Sequence, residues 1–248
     1  MTIFRTSFIA VWLLAGCAGG GASMPPDPSQ PAGDLADLAN GDVSSSPDLA
    51  PSAGAADLGT PASHDLANPP PPPTKKVLNV TWQGQQTGYW CGPGSTRMAL
   101  STRLASPPTQ QTLASYMGTT TNGTDDVSLV RGALNHYFAT SFFQAKYMAD
   151  PPPQSERDLL KHDVVYDIDH GYPLVANVVS GWRPPGYPGG TIYHYVAVVG
   201  YDQSGDRVLI ADPAGDGAGG SSWSNVPRTY WISVYDLGTW IGGKGYTA

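Results

Sequence analysis

The sequence predicts an α+β fold in which helices come first and an antiparallel sheet follows. Between residues 93 and 171 apolar positions recur at helical spacing, whereas from 173 to 234 they run on or alternate, as strands do. A third observation is chemical. A cysteine, Cys91, stands directly before Gly92-Pro93-Gly94 at the start of the first predicted helix.

Taken in order, Val77 to Trp82 alternates enough for a strand. Residues 93 to 104 form the first helix, with Pro93 at its first position, where a missing N–H would be unpaired anyway. Gly92, Gly94 and Ser95 are small enough to let other backbone approach. Thr109 to Met117 reads as a second helix closed by Gly118, and Thr119 to Asp126 as a loop. Asp126 caps a third helix, whose apolar positions are Val127, Val130, Leu134, Tyr137 and Phe138. Phe142 to Met148 is a strand ended by Pro151-Pro152-Pro153. Ser155 and Asp158 read as a capping box for a fourth helix with Leu160, Val164 and Ile168 on one face and Gly171 at its end. His136, His162 and His170 sit among charged or loop residues and are expected at the surface.

The period then changes. Pro173 to Val179 is a continuous apolar run, a buried strand. Gly181 to Gly190 is a loop rich in Pro, Gly and aromatics. Thr191 to Asp202 alternates, with Tyr193, Tyr195, Ala197 and Val199 on one face and His194, Val196 and Val198 on the other. A turn over 202–206 leads back along Arg207 to Ala211, and Asp212-Pro213 opens a Gly-rich loop to Ser222. Arg228 to Val234 is a last strand and Tyr235 to Ile241 a short helix.

What precedes residue 75 has a different character. Residues 1 to 17 read as an export signal: Arg5, then the apolar run Phe8 to Leu14, too short to span a bilayer. It ends in Leu14-Ala15-Gly16-Cys17, which resembles the lipobox of bacterial lipoproteins and implies cleavage before Cys17 and a diacylglyceryl group on its sulfur. Residues 18 to 74 repeat Asp-Leu-Ala at Asp34, Asp37, Asp48 and Asp65 between Pro, Ser, Ala and Gly, and close on Pro69 to Pro73. So little apolar surface cannot offset the entropy of ordering, so this is a disordered linker ahead of one folded domain, 75–248.

The totals narrow the function. Among 248 residues the formal charge is −7 and no basic stripe exists, which argues against nucleic acid as a partner. No His or Cys cluster has metal-ligand spacing, and neither a metal nor another cofactor is expected. The chain has 2 cysteines, so a lipidated Cys17 would leave Cys91 without a disulfide partner. A free thiol in an oxidising setting needs a reason, and catalysis is one. Cys91 sits at the positive end of a helix, where a thiolate is favoured. Upstream, the amide of Gln85 could donate to an oxyanion formed beside the sulfur. His194, near the start of one strand, and Asp212, at the end of its returning partner, could be neighbours. The carboxylate would hold the ring tautomer and the ring would take the thiol proton.

Gln85, Tyr89-Trp90-Cys91-Gly92-Pro93, His194-Tyr195-Val196-Ala197-Val198-Val199-Gly200-Tyr201 and Ile210-Ala211-Asp212-Pro213 together resemble the bacteriocin-leader-processing (double-glycine) cysteine peptidases, in particular their stand-alone secreted relatives. The resemblance covers residues 77 to 248 and implies a papain-like fold. It makes Cys91 the nucleophile, His194 the base, Asp212 the orienter and Gln85, or else Gln86, the oxyanion-hole donor. The expected protein is a cysteine peptidase of the bacterial cell envelope, acting as a monomer on a peptide or protein and anchored to the outer membrane or cell surface through Cys17. Amidase or transpeptidase work on cell-wall peptides is the nearest rival. A non-catalytic surface binding module is the other, and it would have no need of all four residues. Cys17→Ser should leave the protein soluble or uncleaved; a cleaved variant that still sediments with membranes would overturn the lipid anchor.

Overall fold

The computed structural model describes residues 73–179 and 181–248. The export signal, Cys17 and the linker up to residue 72 lie outside the described residues. The first half holds α1 (Cys91–Ser101), α2 (Gln110–Tyr116), α3 (Val127–Phe138) and α4 (Gln154–Asp169), with β1 (Lys76–Val77) ahead of them and β2 (Ala145–Tyr147) before α4. The second holds β3 (Leu174–Val179), β4 (Tyr193–Asp202), β5 (Arg207–Ala211), β6 (Thr229–Ser233), α5 (Val234–Ile241) and β7 (Gly245–Thr247). The strands form one antiparallel sheet in the order β2-β7-β3-β4-β5-β6, with β1 also paired to β4.

Period-2 alternation along β4 explains the layering. Tyr195 packs with Leu100 of α1, Leu113 of α2 and Leu134 of α3, and Ala197 and Val199 pack with Met98 of α1. Val196 and Val198 face the other way, onto Leu160, Val164 and Ile168 of α4 and Leu237 and Ile241 of α5. The sheet is thus covered on both faces, and β4 runs buried for nearly its whole length.

Several boundaries differ from those read in the sequence. The first strand is only 2 residues long. After Leu78 N–H bonds Val199 O the chain leaves the sheet, and Thr81 N–H bonds the Ser101 hydroxyl instead. Helix α1 begins at Cys91, so Pro93 is its third residue and the sulfur is part of the first turn. The capping box at Ser155 does not form. Pro153 is the N-cap of α4 without a side-chain bond, and Asp158 accepts from Gln154 Nε2. Strand β2 is shorter than Phe142 to Met148, and β7, which the sequence analysis did not anticipate, lies between β2 and β3. His136, His162 and His170 are exposed.

A polar network ties α4 to the sheet. Asp163 Oδ2 accepts from Lys146 Nζ of β2 at 2.7 Å and from the Tyr246 hydroxyl of β7 at 2.8 Å. One turn further along α4, Asp167 is buried and its Oδ2 has no hydrogen-bond partner among the described residues. Burial first, and then the charge of Asp163, push the Asp167 carboxyl up to about 7 against the pull of Lys146. The folded form therefore holds this proton more tightly than the unfolded chain does. Its contribution to stability is complete below the ordinary carboxyl range near 4 and is lost as pH rises from there to about 7. Asp167→Asn should remove that decline, leaving the variant ~2–4 kcal/mol more stable than wild type at pH 8 and about equal to it at pH 4. Denaturant midpoints across pH test this, and parallel profiles for the two proteins would refute it.

Candidate active site

The first turn of α1 is assembled around the sulfur. Its first helical bond is Gly94 N–H to Trp90 O at 2.8 Å, so the N–H groups of Cys91 and Gly92 have no helical acceptor. No acidic residue stands in this turn and no side chain caps it, which leaves the positive end of the helix uncompensated at Cys91. Two glycines make the site possible by what they lack. A Cβ on Gly92 would collide with the Thr124 side chain, and one on Gly94 would come within 2.9 Å of Pro213 Cβ. The helix that opens on Cys91 can therefore press directly against the segment that carries Asp212.

That segment is also bonded to the chain before α1. Gln85 N–H donates to Pro213 O at 2.7 Å, and the Trp82 indole N–H donates to Asp212 O at 2.8 Å. Gln85 is buried, with Nε2 donating to Thr87 O at 2.9 Å and Oε1 buried without a partner among the described residues. Gln86 is exposed. Only Gln85 lies against the first turn of α1, its Cα and Cβ each 3.6 Å from where a Cβ on Gly94 would stand.

His194 and Asp212 meet as the returning strands suggest. His194 Nε2 lies 2.9 Å from Asp212 Oδ1, and the ring lines one cavity with Cys91, which helps to raise its pKa. All three residues are buried, with Cys91 8% and His194 3% exposed. The sulfur and the ring face a cavity of about 190 Å³ that is also lined by Gly123, Thr124, Asn177 and Tyr195. Among the described residues no group of three or more His, Cys, Asp or Glu side chains is arranged to hold a metal.

The carboxylate is surrounded by donors. Besides His194, Ala214 N–H reaches Oδ1 at 2.9 Å, the Tyr230 hydroxyl reaches Oδ2 at 2.8 Å, and the Tyr187 hydroxyl donates a short bond to Oδ2. Burial alone would push the Asp212 carboxyl up. The His194 charge and the bonds from His194, Tyr187 and Ala214 outweigh it, and the group is held below the usual carboxylate range. For His194 burial works downward, but the Asp212 charge and bond, with Cys91 behind them, raise it to about 10. Burial and then the Asp212 charge push both tyrosines well above their ordinary value, so they remain neutral donors.

Tyr187, Tyr230 and Trp223 were not singled out in the sequence. Tyr187 comes from the loop 181–190, which Arg183 Nη1 closes by donating to Pro188 O at 2.7 Å and Gly190 O at 3.0 Å. Trp223 lies over the His194 ring, centroids 5.1 Å apart, and against Tyr187 at 4.9 Å. These rings cover the imidazole–carboxylate bond and help to exclude water from it. Tyr230 stands on β6 opposite Ile210, close to the end of β5 that leads into Asp212. Alternation along β6 could have marked Tyr230 as facing one side of the sheet, but an irregular loop offers no period that would point to Tyr187.

Comparison with known proteins agrees with this architecture. The model of the peptidase C39-like family matches residues 77–237, more than half of the chain. The protein is therefore a cysteine-type peptidase, built from a helical half and an antiparallel sheet. Within that class it belongs to the peptidase C39-like family. No curated protein matches the chain. Among solved structures, similarity is found to a double glycine motif protease from an AMS/PCAT transporter in complex with the leader peptide, at 16% identity over 69% of this chain and 91% of that one, TM-score 0.42. Xylellain, a cysteine protease from Xylella fastidiosa, is 13% identical over 71% of this chain and 86% of its own, TM-score 0.44. Digestive procathepsin L2 from the Tenebrio molitor larval midgut is 12% identical over 71% and 67%, TM-score 0.46. All three scores lie below 0.5, and the assignment rests on the family model.

Hydrogen bonds to a buried charge are worth about 1.5–3 kcal/mol each. Tyr230→Phe should destabilise the fold by about that amount and raise the Asp212 carboxyl, moving the acid side of the stability profile to higher pH. A midpoint within ~0.5 kcal/mol of wild type across pH would show that the hydroxyl does not hold the carboxylate.

Proposed function

We propose that the protein hydrolyses peptide bonds with Cys91 as nucleophile, His194 as general base and acid, Asp212 as the orienting carboxylate and Gln85 as an oxyanion-hole donor. The observation that carries this reading is the buried His194–Asp212 pair, bonded at 2.9 Å, whose ring lines one cavity with Cys91 and has its pKa raised in part by it.

The thiol proton passes to His194, leaving thiolate beside imidazolium, with the buried Asp212 balancing the ring's charge. The sulfur attacks the substrate carbonyl carbon, and the π pair moves onto oxygen. Cys91 N–H, without a helical acceptor in the first turn, and the second N–H of Gln85 Nε2 supply donors for that oxyanion. As the oxygen reforms its double bond the C–N bond breaks, and His194 gives its proton to the leaving amine. The resulting thioester is attacked by a water whose proton His194 takes, and collapse releases the acid and restores the sulfur. With the ring raised to about 10, imidazolium persists through neutral pH and is lost, along with activity, as pH rises through that value. In the cell this reaction would take place at the bacterial envelope, with a single copy of the domain tethered through a lipid on Cys17.

Digestion of fluorescein-labelled, denatured casein with mass-spectrometric mapping of the products tests the reading. Cys91→Ser, His194→Ala and Asp212→Asn should each lower the rate by at least ~10³-fold while the fold survives. Cleavage by His194→Ala at the wild-type rate would sink it. Transfer of the acyl group to an added amine in preference to water would replace hydrolysis with transpeptidation.

A further inference from the structure

Gln110 opens α2 and is only 1% exposed, a rare place for an uncharged polar side chain with four hydrogen-bonding sites. Both ends of its amide are spent on one short stretch of backbone. Nε2 donates to Gly84 O at 2.8 Å, and Oε1 accepts from Gln86 N–H at 3.0 Å. In extended backbone the carbonyl before a residue and the N–H after it point to one side, and the residue's own N–H points to the other. The Gln110 amide therefore stands where a neighbouring strand would be. On the opposite side Gln85 N–H is held by Pro213 O at 2.7 Å, next to Asp212. Gln85 is clamped from both sides and cannot slide or rotate without breaking one of these bonds. The helix itself does not need Gln110 for capping, because the Thr109 hydroxyl already accepts from Thr112 N–H at 3.1 Å.

We propose that Gln110 is a positioning residue for the oxyanion hole. By standing in for a strand along residues 84–86 it aims the Gln85 side chain, whose Nε2 is further oriented by Thr87 O, at the space beside Cys91. This rests on Gln85 being the oxyanion donor. Its effect would be felt where negative charge gathers on oxygen and not in the reactivity of the sulfur.

A peptide aldehyde separates the two. Acetyl-Leu-Leu-argininal adds the Cys91 S–H across its C=O bond: the S–C bond forms, the π pair goes to oxygen, and the thiol proton ends on that oxygen. The new oxygen occupies the oxyanion's place. Iodoacetamide alkylates by displacing iodide at carbon and needs no oxyanion hole. In the full-length protein Q110A should weaken aldehyde binding ~10-fold, a fraction of the ~10²–10³ that losing an oxyanion donor outright costs. Its iodoacetamide rate should stay within ~2-fold of wild type, since the thiol itself is untouched. Q85A should weaken aldehyde binding at least as much, and the Q85A/Q110A double variant should be no weaker than Q85A. Wild-type aldehyde affinity in Q110A, with Q85A weakened, would reject the clamp and leave the Gln85 assignment standing. Wild-type affinity in Q85A would reject that assignment and the clamp with it, while effects that multiply in the double variant would show that Gln110 acts elsewhere. Should Q110A fail to fold, Q110E keeps the acceptor for Gln86 N–H but loses the donor to Gly84 O once ionised. Its aldehyde affinity relative to wild type should recover as pH falls through the carboxyl range, and a ratio flat with pH would overturn the proposal.

Discussion

The buried charge on Asp212 is the constraint on which the rest of this molecule depends. An isolated carboxylate taken wholly out of water is unstable, and in practice it takes up a proton unless its oxygens are bonded and an opposite charge stands near. Here Oδ1 accepts from His194 and Ala214 N–H, and Oδ2 from Tyr187 and Tyr230. The environment therefore selects the anion, and the anion selects a charged imidazole beside it.

Much of the local architecture follows from that requirement. The donors come from four separate places: β4, the corner after β5, the loop 181–190 and β6. Their convergence needs the β4–β5–β6 meander in register and the loop closed by Arg183. The same corner then reaches across to the helical half. Pro213 packs beside Gly94 of α1 and bonds Gln85, so the helix that presents Cys91 and the stretch that carries Gln85 are both referred to the residue after the carboxylate. An arrangement held at so many points keeps ring and carboxylate aligned beside the sulfur.

Much of this was legible in the chain because it is written in periods and in special residues. The helix faces of α3 and α4, the alternation of β4 and the return of β5 are 3.6- and 2-residue patterns, and the structure follows them closely. The glycines around Cys91 and the Asp212-Pro213 corner marked the site itself. What escaped notice has a different physical origin. Strand β7, Gly245–Thr247, is too short to show a period, and it exists because β2 and β3 leave room for a strand between them. The capping box at Ser155 lost to Pro153, whose extended conformation starts α4 two residues earlier. Tyr187 and Gln110 act through long-range bonds from a loop and a helix start, and no local pattern encodes such bonds.

The central claim is that Asp212 keeps His194 charged beside the sulfur, and the ring nitrogens report on it directly. In protein labelled with ¹⁵N at histidine, the His194 resonances should show imidazolium, both nitrogens protonated, at pH 8 and up to about 10. Asp212→Asn should bring the transition down towards the ordinary histidine range. A neutral His194 ring at pH 8 in the wild-type protein would contradict the account.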